Sequence, residues 1–130
     1  MIRRPGHGGA HDVLPAAVVT VIVLVTVSPW ALGFSASHAA VAEHIAFAMG
    51  FGPIAVLISA LPAAAISIGL AGAWLMASPW ALGYASVGAG AWSADPVCGV
   101  ILVALGAAAW RASEASRPVD APVTMNGSRP

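Results

Sequence analysis

The chain has 130 residues, of which 59% are hydrophobic and 8% charged, with five basic and five acidic side chains and no net charge. A soluble domain carries roughly 25% charged residues, so this composition excludes a water-exposed globular surface. The lack of any lysine and arginine cluster excludes nucleic-acid binding, which needs concentrated positive charge against phosphates.

The few charges also avoid the middle of the chain. None lies between Asp12 and Glu43, and 51 consecutive uncharged residues separate Glu43 from Asp95. A charge at the centre of a bilayer costs about 2.5–3.5 kcal/mol on insertion scales, and such bare runs are the result. The chain reads as an all-α, multi-pass protein of the cell membrane.

In chain order, residues 1–12 are rich in glycine and arginine and are expected to be a disordered N-terminus. The first span runs from Val13 to about Phe34. Met1-Ile2-Arg3-Arg4 and Ser35-Ala36-Ser37 resemble the start and cleavage site of a signal peptide. The apolar run is longer than the usual ~7–15-residue core of such a signal, so it is read as a retained span. The second span is expected from about Ala40 to Leu61, and the third from Pro62, which suits a first helical position, to about Tyr84. The fourth starts at Trp92 or Pro96 and ends at Trp110 or a little beyond. Asp95-Pro96 reads as an N-cap followed by proline. Residues 13–61 and 62–115 then form two repeats of two helices, followed by a disordered tail over 116–130. Each span approaches the ~20 residues a bilayer requires.

Arginine falls only before the first span and after the last, at Arg3, Arg4, Arg111, Arg117 and Arg129. The positive-inside rule therefore predicts both termini in the cytoplasm, which an even number of spans permits. The two repeats are then parallel, related by an axis along the membrane normal. Trp30, Trp80 and Trp92 are expected at one interface and Trp110 at the other.

Residues 28–34 read SPWALGF and residues 78–84 read SPWALGY. Six of the seven letters are identical, and both copies fall at the outer ends of odd-numbered spans. Pro29 and Pro79 each remove a helical hydrogen bond, and the adjacent Ser28 or Ser78 hydroxyl can satisfy the freed carbonyl. Trp30 and Trp80 suit headgroup depth. Gly33 and Gly83 suit a helix C-terminus that turns in the left-handed region. The competing reading makes each serine an N-cap of a new interfacial helix, but it leaves a first span of only 15 residues. The kinked, continuous helix is preferred.

Ser28-Pro29-Trp30 and Ser78-Pro79-Trp80, each followed by Ala-Leu-Gly and an aromatic residue, resemble the SPW-repeat family of small integral membrane proteins. The resemblance covers about residues 13–112. Gly72-Ala73-Trp74-Leu75 and Trp92 strengthen it in the second repeat, whereas Val23-Leu24-Val25 and Ala42 or Glu43 depart from it in the first. It implies the four-span fold and carries no biochemical activity.

Ala65, Gly69, Ala73 and Ala77 form a small-residue stripe, suited either to packing within the bundle or to an interface with a membrane protein or a second copy. Gly50-Phe51-Gly52-Pro53 is read as a proline kink in the second span, since the second repeat lacks a matching break. His38, Glu43, His44 and Asp95 form a polar cluster near the outer ends of the even spans. Such groups can bind metal or relay protons, yet acidic groups at helix N-termini account for them without either. Cys98 is alone, so no intramolecular disulfide or CxxC motif exists, and it reads as a packing residue. No catalytic constellation is present. The expectation is a structural or accessory membrane component without enzyme activity, metal or cofactor, its partners being lipid and another membrane protein or itself. A minor transporter or channel subunit is the alternative, followed by a haem or metal protein using His38 and His44.

Overall fold

The computed structural model describes residues 9–58 and 60–116. They form four helices: α1 (Gly9–Ala31), α2 (His38–Val56), α3 (Pro62–Ala81) and α4 (Ala89–Ala115), with no strand among the described residues. All four are long and apolar enough to cross a membrane, over Val13–Ala31, His38–Val56, Pro62–Ala81 and Trp92–Ala115. None has a charged stripe opposite an apolar one, because lipid and protein between them leave no face in water.

Local chemistry sets the helix ends. Gly33 and Gly83 have φ of +78° and +75°, so each heptapeptide ends its helix in the left-handed region. The turns that follow are copies: Ser37 N–H donates to Phe34 O (3.1 Å) and, fifty residues on, Val87 N–H donates to Tyr84 O (3.0 Å). Ser37 caps α2 by accepting from Ala40 N–H at 3.3 Å. Pro62 opens α3 behind an extended Leu61.

Several boundaries differ from the sequence expectation. α1 and α3 end at Ala31 and Ala81, three residues before Phe34 and Tyr84. Gly9–Asp12, expected in the disordered N-terminal segment, belong to α1. The expected disorder of residues 1–8 and 117–130 lies outside the described residues. α2 stops at Val56 and not at Leu61; Leu57, Ile58 and Ala60 lie in turns before α3, with Ala60 N–H and Leu61 N–H both donating to Leu57 O. α4 begins at Ala89, so Asp95 is not an N-cap and Pro96 lies inside the helix. Pro53 is likewise inside a continuous α2.

The helices pack in a ring, α1 on α2, α2 on α3, α3 on α4 and α4 on α1, with α3–α4 the most extensive contact. The core is built from Val18, Ile22, Val25, Phe47, Ile68, Leu75 and Leu102. Small residues bring α3 and α4 together. A Cβ added at Gly72 would lie 2.5 Å from the Gly99 carbonyl oxygen, and one at Gly106 would lie 2.8 Å from that of Ala65. The Ala65 stripe therefore divides. Ala65 and Gly69 meet α4, whereas Ala73 and Ala77 are exposed. Successive i+4 positions drift around a 3.6-residue helix, which turns the stripe's later members away from the seam.

Candidate functional site

Both heptapeptides sit at the end of the bundle where α1 and α3 finish and α2 and α4 begin. In each, the serine resolves the defect its proline creates. Pro29 has no N–H for Val25 O, and Ser28 Oγ donates to that oxygen at 2.8 Å; Pro79 leaves Leu75 O, and Ser78 Oγ lies 3.2 Å from it. Both helices continue through their prolines, and Pro29, Pro79 and Ser78 are fully buried. Trp30 and Trp80 point outward, 54% and 60% exposed, and Trp92 at the same end is also exposed.

The seventh letter of each motif faces inward. Phe34 and Tyr84 are both 1% exposed, and their rings flank His44 with centroids 5.8 and 6.3 Å away. His44 and Asp95 are themselves buried, at 0% and 1%. His44 Nε2 lies 3.0 Å from Asp95 Oδ1, a contact that joins α2 to α4 across the ring of helices. Tyr84 Oη donates to Asp95 Oδ2 at 2.9 Å and lies 2.9 Å from Ser78 Oγ. With its one proton committed to Asp95, the tyrosine accepts from Ser78. Ser78 is therefore shared, which accounts for its longer reach to Leu75 O than Ser28 has to Val25 O.

The other ring nitrogen of His44 is 2.6 Å from Ala40 O. A carbonyl only accepts, so Nδ1 donates. One further proton is held between Nε2 and Oδ1, and in either arrangement, imidazolium with carboxylate or imidazole with carboxylic acid, the pair has no net charge. A net-neutral, hydrogen-bonded pair is the form in which such groups can be buried. Tyr84 lies in the loop outside the spans. Burial pushes its hydroxyl well above the ordinary tyrosine range; the Ser78 hydrogen bond pulls the other way, and the nearby Glu43 and Asp95 charges push it further up. It stays protonated and able to donate.

Glu43 differs from its neighbours. Its side chain is 7% exposed and Oε2 lies 3.0 Å from His44 Nδ1. That N–H is aimed at Ala40 O, however, and neither Glu43 oxygen accepts a hydrogen bond. The expected polar cluster thus separates. Glu43, His44 and Asp95 are gathered inside the bundle and are not charges dressing helix ends, whereas His38 is exposed at the first position of α2. Six residues of helix put His38 and His44 on different faces, so they do not converge. Among the described residues no group of three or more His, Cys, Asp or Glu side chains is placed to hold a metal. Cys98 is a half-buried free thiol in α4. The sequence reading missed Tyr84 as a partner of Asp95 and Ser78 as a partner of Tyr84. The signal was present, because the only letter separating the two heptapeptides adds a hydroxyl.

The sequence model of the SPW repeat domain matches residues 11–109. The chain belongs to the SPW repeat family. This SPW repeat protein is a small multi-pass membrane protein, built from two parallel helical hairpins. No curated protein and no solved structure matches it. Within the repeat, Ser-Pro-Trp divides its tasks: serine mends the backbone, proline packs in the core, and tryptophan faces outward.

Proposed function

We propose that this protein is a structural or accessory component of the cell membrane, without enzyme activity, held with both termini in the cytoplasm and associated with another membrane protein or a second copy. One observation supports this reading above the others. His44, Asp95, Tyr84 and Ser78 direct their hydrogen-bonding groups at each other and at the backbone of Ala40 and Leu75. A polar network spent on internal partners acts as a clasp between the repeats, since substrate chemistry would require a free group. The exposed face of α3 around Ala73 and Ala77 suits close approach of a neighbouring helix.

The test is affinity purification in mild detergent followed by mass spectrometry, with in-cell crosslinking from Ala77→Cys in a Cys98→Ala background. A specific membrane partner or a crosslinked dimer supports the reading; transport of a solute by the purified protein alone in vesicles overturns it. Labelling at Ser37→Cys and Ser86→Cys should mark both loops from outside the cell. Labelling of the two from opposite sides would end the parallel arrangement.

A further inference from the structure

We propose that the groove between α2 and α3 binds a membrane lipid with a primary ammonium headgroup, held through Glu43. The groove has a volume of about 560 Å³ and is lined by Glu43, Ala46, Phe47, Phe51, Trp74 and Leu82 among others. Apart from Glu43 these residues are apolar, and three are aromatic. Ligand sites of this size, mostly apolar with one or two placed polar groups, are the usual form of a small-molecule pocket.

Charge selects the ligand class. The cluster holds two carboxylates, Glu43 and Asp95, and one imidazole. Asp95 is satisfied by His44 and Tyr84, and the His44 Nδ1 proton goes to Ala40 O. Neither Glu43 oxygen accepts a hydrogen bond although the side chain is nearly buried, and Oε2 has only the 3.0 Å contact with His44 Nδ1, whose proton points elsewhere. An unpaired buried carboxylate is costly, and a cation relieves it. Both orphaned oxygens are acceptors, so the cation must bring N–H donors. A primary ammonium has three, whereas a quaternary choline has none. The Phe47, Phe51 and Trp74 rings give a cation and its apolar body a compatible wall.

Position selects the source. α2 and α3 both span the membrane, so a groove between them opens sideways onto lipid. Glu43 lies in the second turn of α2, near the loop end, and Phe51 is ~12 Å further along the helix. A headgroup at Glu43 would leave its acyl chain running inward past Phe47 and Phe51. Glu43 lines the groove with its oxygens covered, so binding requires its side chain to rotate toward the headgroup.

Native mass spectrometry tests this on the full-length detergent-purified protein, with phosphatidylethanolamine and phosphatidylcholine of identical chains supplied in equal amounts. The protein should retain the ethanolamine lipid about tenfold over the choline lipid, as expected for charge-assisted hydrogen bonds available to one alone. Glu43→Gln should bring the ratio close to one. Ala46→Phe, at an exposed position of the groove, should reduce lipid retention without touching the core. Dodecylammonium should displace the ethanolamine lipid. Equal retention of the two lipids by the wild type overturns the proposal, as does an undiminished preference in Glu43→Gln or undiminished retention in Ala46→Phe. Retention of dodecylammonium without any of the ethanolamine lipid overturns the lipid assignment.

Discussion

His44 Nε2 and Asp95 Oδ1 stand 3.0 Å apart although 51 positions separate them in the chain, and each is the seventh residue of its helix. The two repeats thus place unlike partners at nearly equivalent points, and the contact joins helices that are not neighbours in the ring. Removing one member of a buried pair strands the other, at about 3–5 kcal/mol. His44→Ala and Asp95→Ala should each lower the thermal midpoint in detergent sharply. The His44→Leu/Asp95→Leu double variant should lose less than the two single losses added together, because neither member of the pair is left to face the other's absence.

Tyr84→Phe removes the hydroxyl that bonds Asp95 and Ser78 and should cost about 1–3 kcal/mol. Restoring the hydroxyl in the other repeat should not help. Fifty residues before Asp95 stands Ile45, which offers a tyrosine at position 34 no acceptor. The Phe34→Tyr/Tyr84→Phe swap should therefore be less stable than Tyr84→Phe alone, measured by the same unfolding midpoint.

Tyr84 is the single tyrosine of the chain, so phenolate absorbance during an alkaline titration reports on it alone. Its ordinary value is 10.0, and the folded protein holds it higher. Stability from this group is complete below the unfolded value and is lost as pH rises from there toward the folded one. Absorbance should stay flat through the ordinary tyrosine value and rise only above it, together with unfolding. A reversible titration near 10 in folded protein would contradict the burial and contacts described for the hydroxyl.

Glycines should divide by surroundings. Gly72→Ala drives a methyl against the Gly99 backbone and should cost about 1–3 kcal/mol by separating α3 from α4. Gly50→Ala meets nothing within 4 Å and should be neutral or stabilising by up to about 1 kcal/mol, as helix propensity dictates. Thermal midpoints of the two variants at equal detergent concentration make the comparison.

The motif itself yields a contrast. Gly83→Val must hold a β-branched residue at φ +75°, which costs at least about 1–2 kcal/mol. Trp80→Phe keeps an apolar ring on an exposed position and should change stability by less than about 1 kcal/mol. The check is the yield of membrane-inserted, detergent-stable protein at equal expression. If Trp80→Phe abolished a cellular phenotype with that yield intact, the indole would be contacting a ligand or partner.

What was legible in the sequence was whatever local chemistry decides. Uncharged runs set the four spans, Gly33 and Gly83 set their ends, and the serine beside each proline forecast the mended carbonyl. Asp95-Pro96 misled because aspartate before proline is the ordinary signature of a helix start. Here the helix had begun two turns earlier, and proline is carried inside it. The clasp was illegible for a different reason. It depends on which faces of α2 and α4 turn inward, and helices that are apolar all round give no stripe from which to read that.

The clasp also bears on how the halves of the chain depend on each other. The first repeat supplies an imidazole and a phenyl ring, the second a carboxylate and a phenol. Two copies of the first half would set His44 Nε2 against Ile45 in place of Asp95, leaving that nitrogen without its acid; two copies of the second would bring aspartates together without a histidine. Each half is therefore incomplete as its own mate. Expressed as separate hairpins, 1–59 and 60–130 should prefer each other to themselves, so that a peptide linker matters less for joining the halves than for guaranteeing equal numbers of each.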